Sequence, residues 1–244
     1  ALLVGILISL YADLFDGEYA QRAAHFRARY RISSDETIET SLVTDKQGIY
    51  NQRMFFYDDE DGRASFTHFL ATRRAAGWTV KEHDGFVTVE KRNPHVSRGS
   101  VRAVRIYANK PSAESGSLSN YLYRREQGEV IIKGVTHRGH SYYMNRTMNE
   151  IGKEVYIVNL GSCGGFRETG GILDRNMRAL IFSTSNIGTM YVNDPLFEMI
   201  DSAILEGETN LRVIWSSVLL RVKDARKDKY IPPFENIGPK VLKA

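Results

Sequence analysis

VIIKGVTHRGHSYYMNRTMNEIGKEVYIVNLGSCGGFRETGG, residues 130–171, holds two short apolar runs, Val130–Val135 and Val155–Leu160, separated by a polar-apolar segment of helix length. Near-continuous apolar runs of this kind mark parallel strands buried on both faces, and a crossover segment must join them. Small and reactive residues follow each run at once: Gly139-His140-Ser141 after the first, Gly161-Ser162-Cys163-Gly164-Gly165 after the second. Ligands in open α/β sheets sit beyond the carboxyl ends of the strands. Two adjoining strands therefore deliver an imidazole and the chain's single thiol to one sheet edge.

Working outward, the same alternation of strand and helix recurs. RMFFY (53–57) reads as a strand, and Phe66, Phe69 and Leu70 recur at helical spacing ahead of a terminating Gly77. His83-Asp84-Gly85 between WTVKE and GFVTVEKR is a hairpin turn, and VRAVRIYAN (101–109) is a further strand. Leu118–Arg125 is expected to be a helix. Beyond Cys163, Arg167–Met177 is expected to be helical and ALIFSTS (179–185) a strand. Asn193-Asp194-Pro195 predicts a helix start with Asp194 as N-cap, and Leu211, Trp215, Val218 and Val222 form one apolar helix face. The tail from Ile231 is expected to be an irregular strap. Upstream, Tyr19, Ala23, Phe26 and Tyr30 share a helical face and Leu2–Phe15 suits a buried helix. The expected organisation is an accessory helical segment over 1–48 and an α/β domain over 49–244, built as an α/β/α sandwich on a mostly parallel sheet.

Composition narrows the function. With 42% apolar and 25% charged residues, the 244-residue chain is neither disordered nor collagen-like. The net charge of +4 is spread thinly. Arg221, Lys223, Arg226, Lys227 and Lys229 are interrupted by Asp224 and Asp228, which reads as a solvated face and not a nucleic-acid surface. One cysteine excludes an internal disulfide framework and a Cys-rich zinc site. The opening ALLVGILISL is too short to span a bilayer and lacks the basic flank of a signal peptide, so no membrane segment is expected.

Cys163 carries the chemistry or is a plain buried thiol. In favour of chemistry, its glycines let backbone N–H groups approach a bound carbonyl oxygen, with Gly139, Ser141 and Gly164 the candidates. A helix starting near Gly165 would lower the thiol pKa. All six histidines, His25, His68, His83, His95, His137 and His140, precede Cys163. Papain-like enzymes and class I glutamine amidotransferases need a histidine after the cysteine, so neither pattern fits. His140, following a glycine past the strand end, is preferred over His137, which lies close enough to the strand to be structural. A metal is not expected, because the His137/His140 pair has no third ligand in view. Asp58 and Asp59 head an acidic run that forms either a basic-substrate pocket or a solvated turn. An EF-hand is excluded because its twelfth position falls on Phe69. Ser185 and Asn186, closing a later strand, either line a substrate pocket or are ordinary loop residues.

Histidine before cysteine, each at the end of consecutive apolar strands, resembles the caspase-like (clan CD) cysteine peptidases. Gly139-His140 and Cys163-Gly164-Gly165 match their motifs, and the likeness runs from about Arg53 to Ile204. FFYDDEDG (55–62), IYANKP (106–111), HRGHSYY (137–143), LGSCGGF (160–166) and VNDP (192–195) are also similar to bacterial proteins carrying this core. The resemblance implies a three-layer caspase-like sandwich and a cysteine endopeptidase with a His140–Cys163 dyad. It implies a thioacyl intermediate, a peptide or protein substrate and no cofactor. Two departures stand out. Ser141 replaces the usual glycine after the histidine, and 23 residues separate His140 from Cys163, against about 50 in caspases. The alternative is a non-catalytic caspase-like domain that binds a protein partner.

Overall fold

Side chains alternate between the two faces of a strand, and β1 (Ile49–Phe56) divides them between two cores. Met54 and Phe56 enter one cluster, while Phe55 and the following Tyr57 enter the other. The computed structural model describes residues 37–95, 100–113, 116–126 and 130–235. The helices expected within residues 1–36, and the tail beyond Glu235, lie outside the described residues.

Around β1 lie β2 (Thr79–Glu82), β3 (Phe86–Arg92), β4 (Ala103–Asn109), β5 (Gly134–Arg138), β6 (Ile157–Leu160), β7 (Leu180–Thr184) and β8 (Tyr230–Ile231). They form one eight-stranded sheet in the order β2-β3-β4-β1-β5-β6-β7-β8. The stretch β4-β1-β5-β6-β7 is parallel throughout, and both margins are closed by antiparallel pairings. The chain leaves β1 toward the β4 side and returns to β5 on the other, after which each parallel strand lies beyond the last. β5, β6 and β7 therefore present consecutive carboxyl ends along one edge.

Seven α-helices accompany the sheet among the described residues: α1 (Thr40–Val43), α2 (Glu60–Ala75), α3 (Gly116–Glu126), α4 (Met144–Asn149), α5 (Thr169–Leu173), α6 (Met190–Glu206) and α7 (Leu211–Arg221). Phe69 of α2, Leu196 of α6 and Val218 of α7 join the first cluster, whereas Leu118 of α3, Met148 of α4 and Ile172 of α5 join the second. The result is a three-layer α/β/α sandwich. Each such side chain, fully buried, is worth about 1.5–3 kcal/mol. Between α2 and α6 a charged pair is sealed in: Arg73 Nη2 lies 2.5 Å from Asp201 Oδ2, both side chains 2% exposed. Gln52 of β1 donates to the other carboxylate oxygen, and the Arg73 guanidinium stacks 4.4 Å from the Trp78 ring centroid.

Several sequence expectations shift. Residues 37–48 are part of the α/β unit and not of an accessory segment. Thr37 bridges to Asn210, and Ile38 and Val43 are buried in the first cluster. β5 starts at Gly134, four residues later than its apolar run, so His137 and Arg138 belong to the strand. α6 starts at Met190, where the Thr189 hydroxyl caps it by accepting from the Tyr191 N–H, and Pro195 sits inside the helix. Ile231 does not open an irregular strap but pairs with Ser183, beside Tyr230 on Thr184, as the sheet margin.

Candidate functional site

The carboxyl ends of β5, β6 and β7 frame an open cavity of about 410 Å³. Gly139 and His140 border it after β5, Gly161, Ser162 and Cys163 after β6, and Ile187 to Tyr191 after β7. Asp61, Ala64 and Ser65 of α2 contribute a wall, as does Arg226 from the turn before β8. The two residues singled out for chemistry thus share one cavity, with Cys163 exposed and His140 half-buried.

The loop carrying Cys163 is pinned on three sides. Asn193 Nδ2 donates to the Gly161 carbonyl at 2.8 Å, the Thr184 hydroxyl donates to the Ser162 carbonyl, and the Gly164 N–H donates to the Asn186 carbonyl at 2.8 Å. Gly188 crosses directly above this loop, and a Cβ there would overlap the Gly161 carbonyl oxygen. Gly164 turns the chain with φ 68°, in the left-handed region that glycine tolerates best. These contacts correct one assignment: the Gly164 N–H is already engaged by Asn186 and has nothing left for a substrate oxyanion. The N–H groups of Cys163 and Ser141 meet no acceptor among the described residues. The helix expected after Cys163 is also shorter than its sequence suggests. A 3-10 turn (Gly165–Glu168) leads into the five-residue α5, too short for a macrodipole argument about the thiol.

His140 Nε2 faces Asp61 Oδ2 at 3.3 Å, and its ring stacks on Tyr142 with centroids 5.2 Å apart. That leaves Nδ1 as the nitrogen with no described partner. His137 is a different kind of residue. Wholly buried, its Nδ1 lies 2.7 Å from Thr147 Oγ1 and its Nε2 3.2 Å from the carbonyls of both Gly139 and His140. Burial pushes its pKa down from 6.5 to about 4, so the ring is neutral near pH 7. Both of its nitrogens are committed.

The weaker pocket assignments fall elsewhere. Asp59 caps α2 by accepting from the Gly62 N–H at 2.6 Å, and Asp58 pairs with Arg63 at 2.7 Å. Neither borders the cavity; the acidic residue that does is Asp61. Ser185 is bonded to the Lys229 carbonyl, and the Asn186 carbonyl holds Gly164, so the lining begins one residue later, at Ile187. With Asp59 as the cap, Asp61 falls in the first turn of α2, where its carboxylate reaches His140. The cavity residues missed by sequence include Arg138 and Asn193. Arg138 lies on the opposite face of β5 from His137, where the carboxylate of Asp194 pairs with it. The other Asp194 oxygen meets His68 Nδ1 at 2.6 Å. Asp194 is therefore a counter-ion for a buried guanidinium and not the N-cap its sequence suggests.

No protein-family model matches the chain, and no curated protein matches its sequence. Among the described residues no three His, Cys, Asp or Glu side chains cluster to hold a metal ion, and no helix is long and apolar enough to cross a membrane. Two large side chains of the cavity lining face solvent, Ile187 at 55% and Tyr191 at 62% exposure.

Proposed function

We propose that the protein is a cysteine-dependent hydrolase acting on peptide bonds, with a caspase-like arrangement of His140 and Cys163. The observation that carries the reading is the single cavity bordered by an exposed thiol and a half-buried imidazole at the tips of adjoining parallel strands. In this mechanism the Cys163 thiol gives its proton to His140, and the sulfur attacks the scissile carbonyl carbon to form the C–S bond. The Cys163 N–H stabilises the oxyanion. As the C–N bond breaks, His140 returns the proton to the leaving amine. Water, deprotonated by His140, then cleaves the thioester and restores the thiol. Asp61 orients the imidazole through Nε2, leaving Nδ1 for proton transfer. Its exposure makes this a modest contribution. Apolar substrate side chains would rest on Ile187 and Tyr191.

The test is turnover of a P1-randomised fluorogenic peptide library by the wild type, Cys163→Ala and His140→Ala. Each variant is expected to lose at least a thousandfold in kcat/KM while keeping its circular dichroism spectrum and melting temperature. Full turnover by Cys163→Ala would refute the assignment. Tight peptide binding without turnover in the wild type would instead identify the cleft as a recognition surface.

A further inference from the structure

His137 occupies a place that the reaction above leaves unexplained. A fully buried imidazole is costly unless both ring nitrogens are satisfied. Here the partners dictate which nitrogen holds the proton. The carbonyls of Gly139 and His140 can only accept, so Nε2 carries the hydrogen and is shared between them at 3.2 Å each. Nδ1 must then accept, and the donor is the Thr147 hydroxyl at 2.7 Å. With its proton so directed, Thr147 Oγ1 accepts from the Tyr57 hydroxyl, also at 2.7 Å. The relay runs one way, from Tyr57 through Thr147 to His137 and on to the backbone on both sides of the His140 Cα. The Tyr57 ring adds a steric stop. It lies so close over Gly139 that a Cβ there would press on its Cδ2, and it stacks face to face on Tyr143 with centroids 4.5 Å apart.

We propose that His137 is a positioning residue for His140: its Nε2–H clamps the Gly139 and His140 carbonyls and fixes the peptide planes from which the His140 side chain projects into the cavity. This rests on the reading of His140 as the proton-transfer group. The neutral, single-tautomer state follows from the relay, and burial maintains it across the physiological range. An apolar replacement of similar size fills the space but releases both carbonyls. An amide replacement restores a donor toward them and an acceptor toward Thr147.

The experiment compares wild type, His137→Phe and His137→Gln with a peptidyl acyloxymethyl ketone, which alkylates the thiol. The maximal inactivation rate and the half-saturating concentration are determined separately. In parallel, ¹⁵N-imidazole NMR at pH 7 follows the ring nitrogens of His137 and His140 in the Cys163→Ala background. His137→Phe is expected to lower the maximal rate at least tenfold with half-saturation changed less than twofold, and His137→Gln to recover most of that rate. The spectrum is expected to show His137 as the Nε2–H tautomer, and the His140 signals to broaden or double in His137→Phe. Should His137→Phe fail to fold, the unaltered His137 tautomer and the His137→Gln kinetics decide the matter. An Nδ1–H tautomer, or a His137→Phe protein with wild-type rate and unchanged His140 signals, would overturn the proposal. Because the NMR readout needs no active thiol, it tests the clamp even if Cys163→Ala proves fully active and the hydrolase reading falls.

Discussion

Holding His137 neutral makes folding itself pH-dependent in a definite direction. In the unfolded chain this imidazole takes up a proton near pH 6.5, whereas in the fold it resists protonation until about pH 4. Between those values the unfolded state binds the extra proton, so acidification favours unfolding. The stabilisation is whole above pH 6.5, is lost progressively as the pH falls, and is exhausted near pH 4. Over the interval from pH 7 to pH 5, a shift of this size corresponds to about 2 kcal/mol. Other groups titrate in the same range, so the quantity to measure is a difference. Urea unfolding of wild type and His137→Gln at half-unit steps from pH 7.5 to pH 5 supplies it, since glutamine does not titrate. The wild-type free energy of unfolding is expected to fall by about 2 kcal/mol more than that of the variant, with the m-values unchanged. Parallel pH profiles would show that His137 protonates in the fold as easily as in the unfolded chain. The relay of hydrogen bonds that excludes the second proton would then be wrong.

Two further perturbations probe how the scaffold supports the site. Asp201→Ala strips the sealed Arg73 guanidinium of its carboxylate, and the uncompensated charge is expected to cost about 3–5 kcal/mol in urea unfolding. The double replacement Arg73→Met with Asp201→Leu is expected to recover most of that loss, and a cost below about 1 kcal/mol for the single change would contradict the burial. Gly188→Ala introduces a methyl where the Gly161 carbonyl oxygen already lies, so the two loops must part at a cost of about 1–3 kcal/mol. Labelling of Cys163 by the acyloxymethyl ketone should slow in step, and wild-type labelling with wild-type stability would show that the crossing is loose.

How much of this is legible in the sequence depends on whether a residue's role is set by its neighbours along the chain or across the sheet. The two apolar runs suffice to put His140 and Cys163 at adjacent strand ends, because burial on both faces leaves parallel strands no other pattern. The strand-helix rhythm likewise leads to the three-layer architecture. The β5 boundary shifts because Val130 and Ile132 are buried without being in the strand, while His137 and Arg138 are in the strand despite being polar. Polar residues inside a strand are invisible to hydrophobic patterning, and these two are tolerated only through partners elsewhere in the chain. His137 depends on Thr147, and Arg138 on Asp194. The same blindness misreads Asp194, whose Asn-Asp-Pro setting imitates a helix cap while its carboxylate is taken up by Arg138. Asp61 is passed over in favour of Asp58 and Asp59 because a run of acids does not announce which member begins the helix. Once Asp59 is the cap, helical geometry turns Asp61 toward the strand ends and leaves Asp58 to Arg63. Local pattern thus brings the candidate pair, His140 and Cys163, to one sheet edge, whereas the residues that hold their surroundings in place are defined by tertiary pairing: the three-sided anchoring of the Cys163 loop and the His137 relay exist only once β5, β6 and β7 lie side by side.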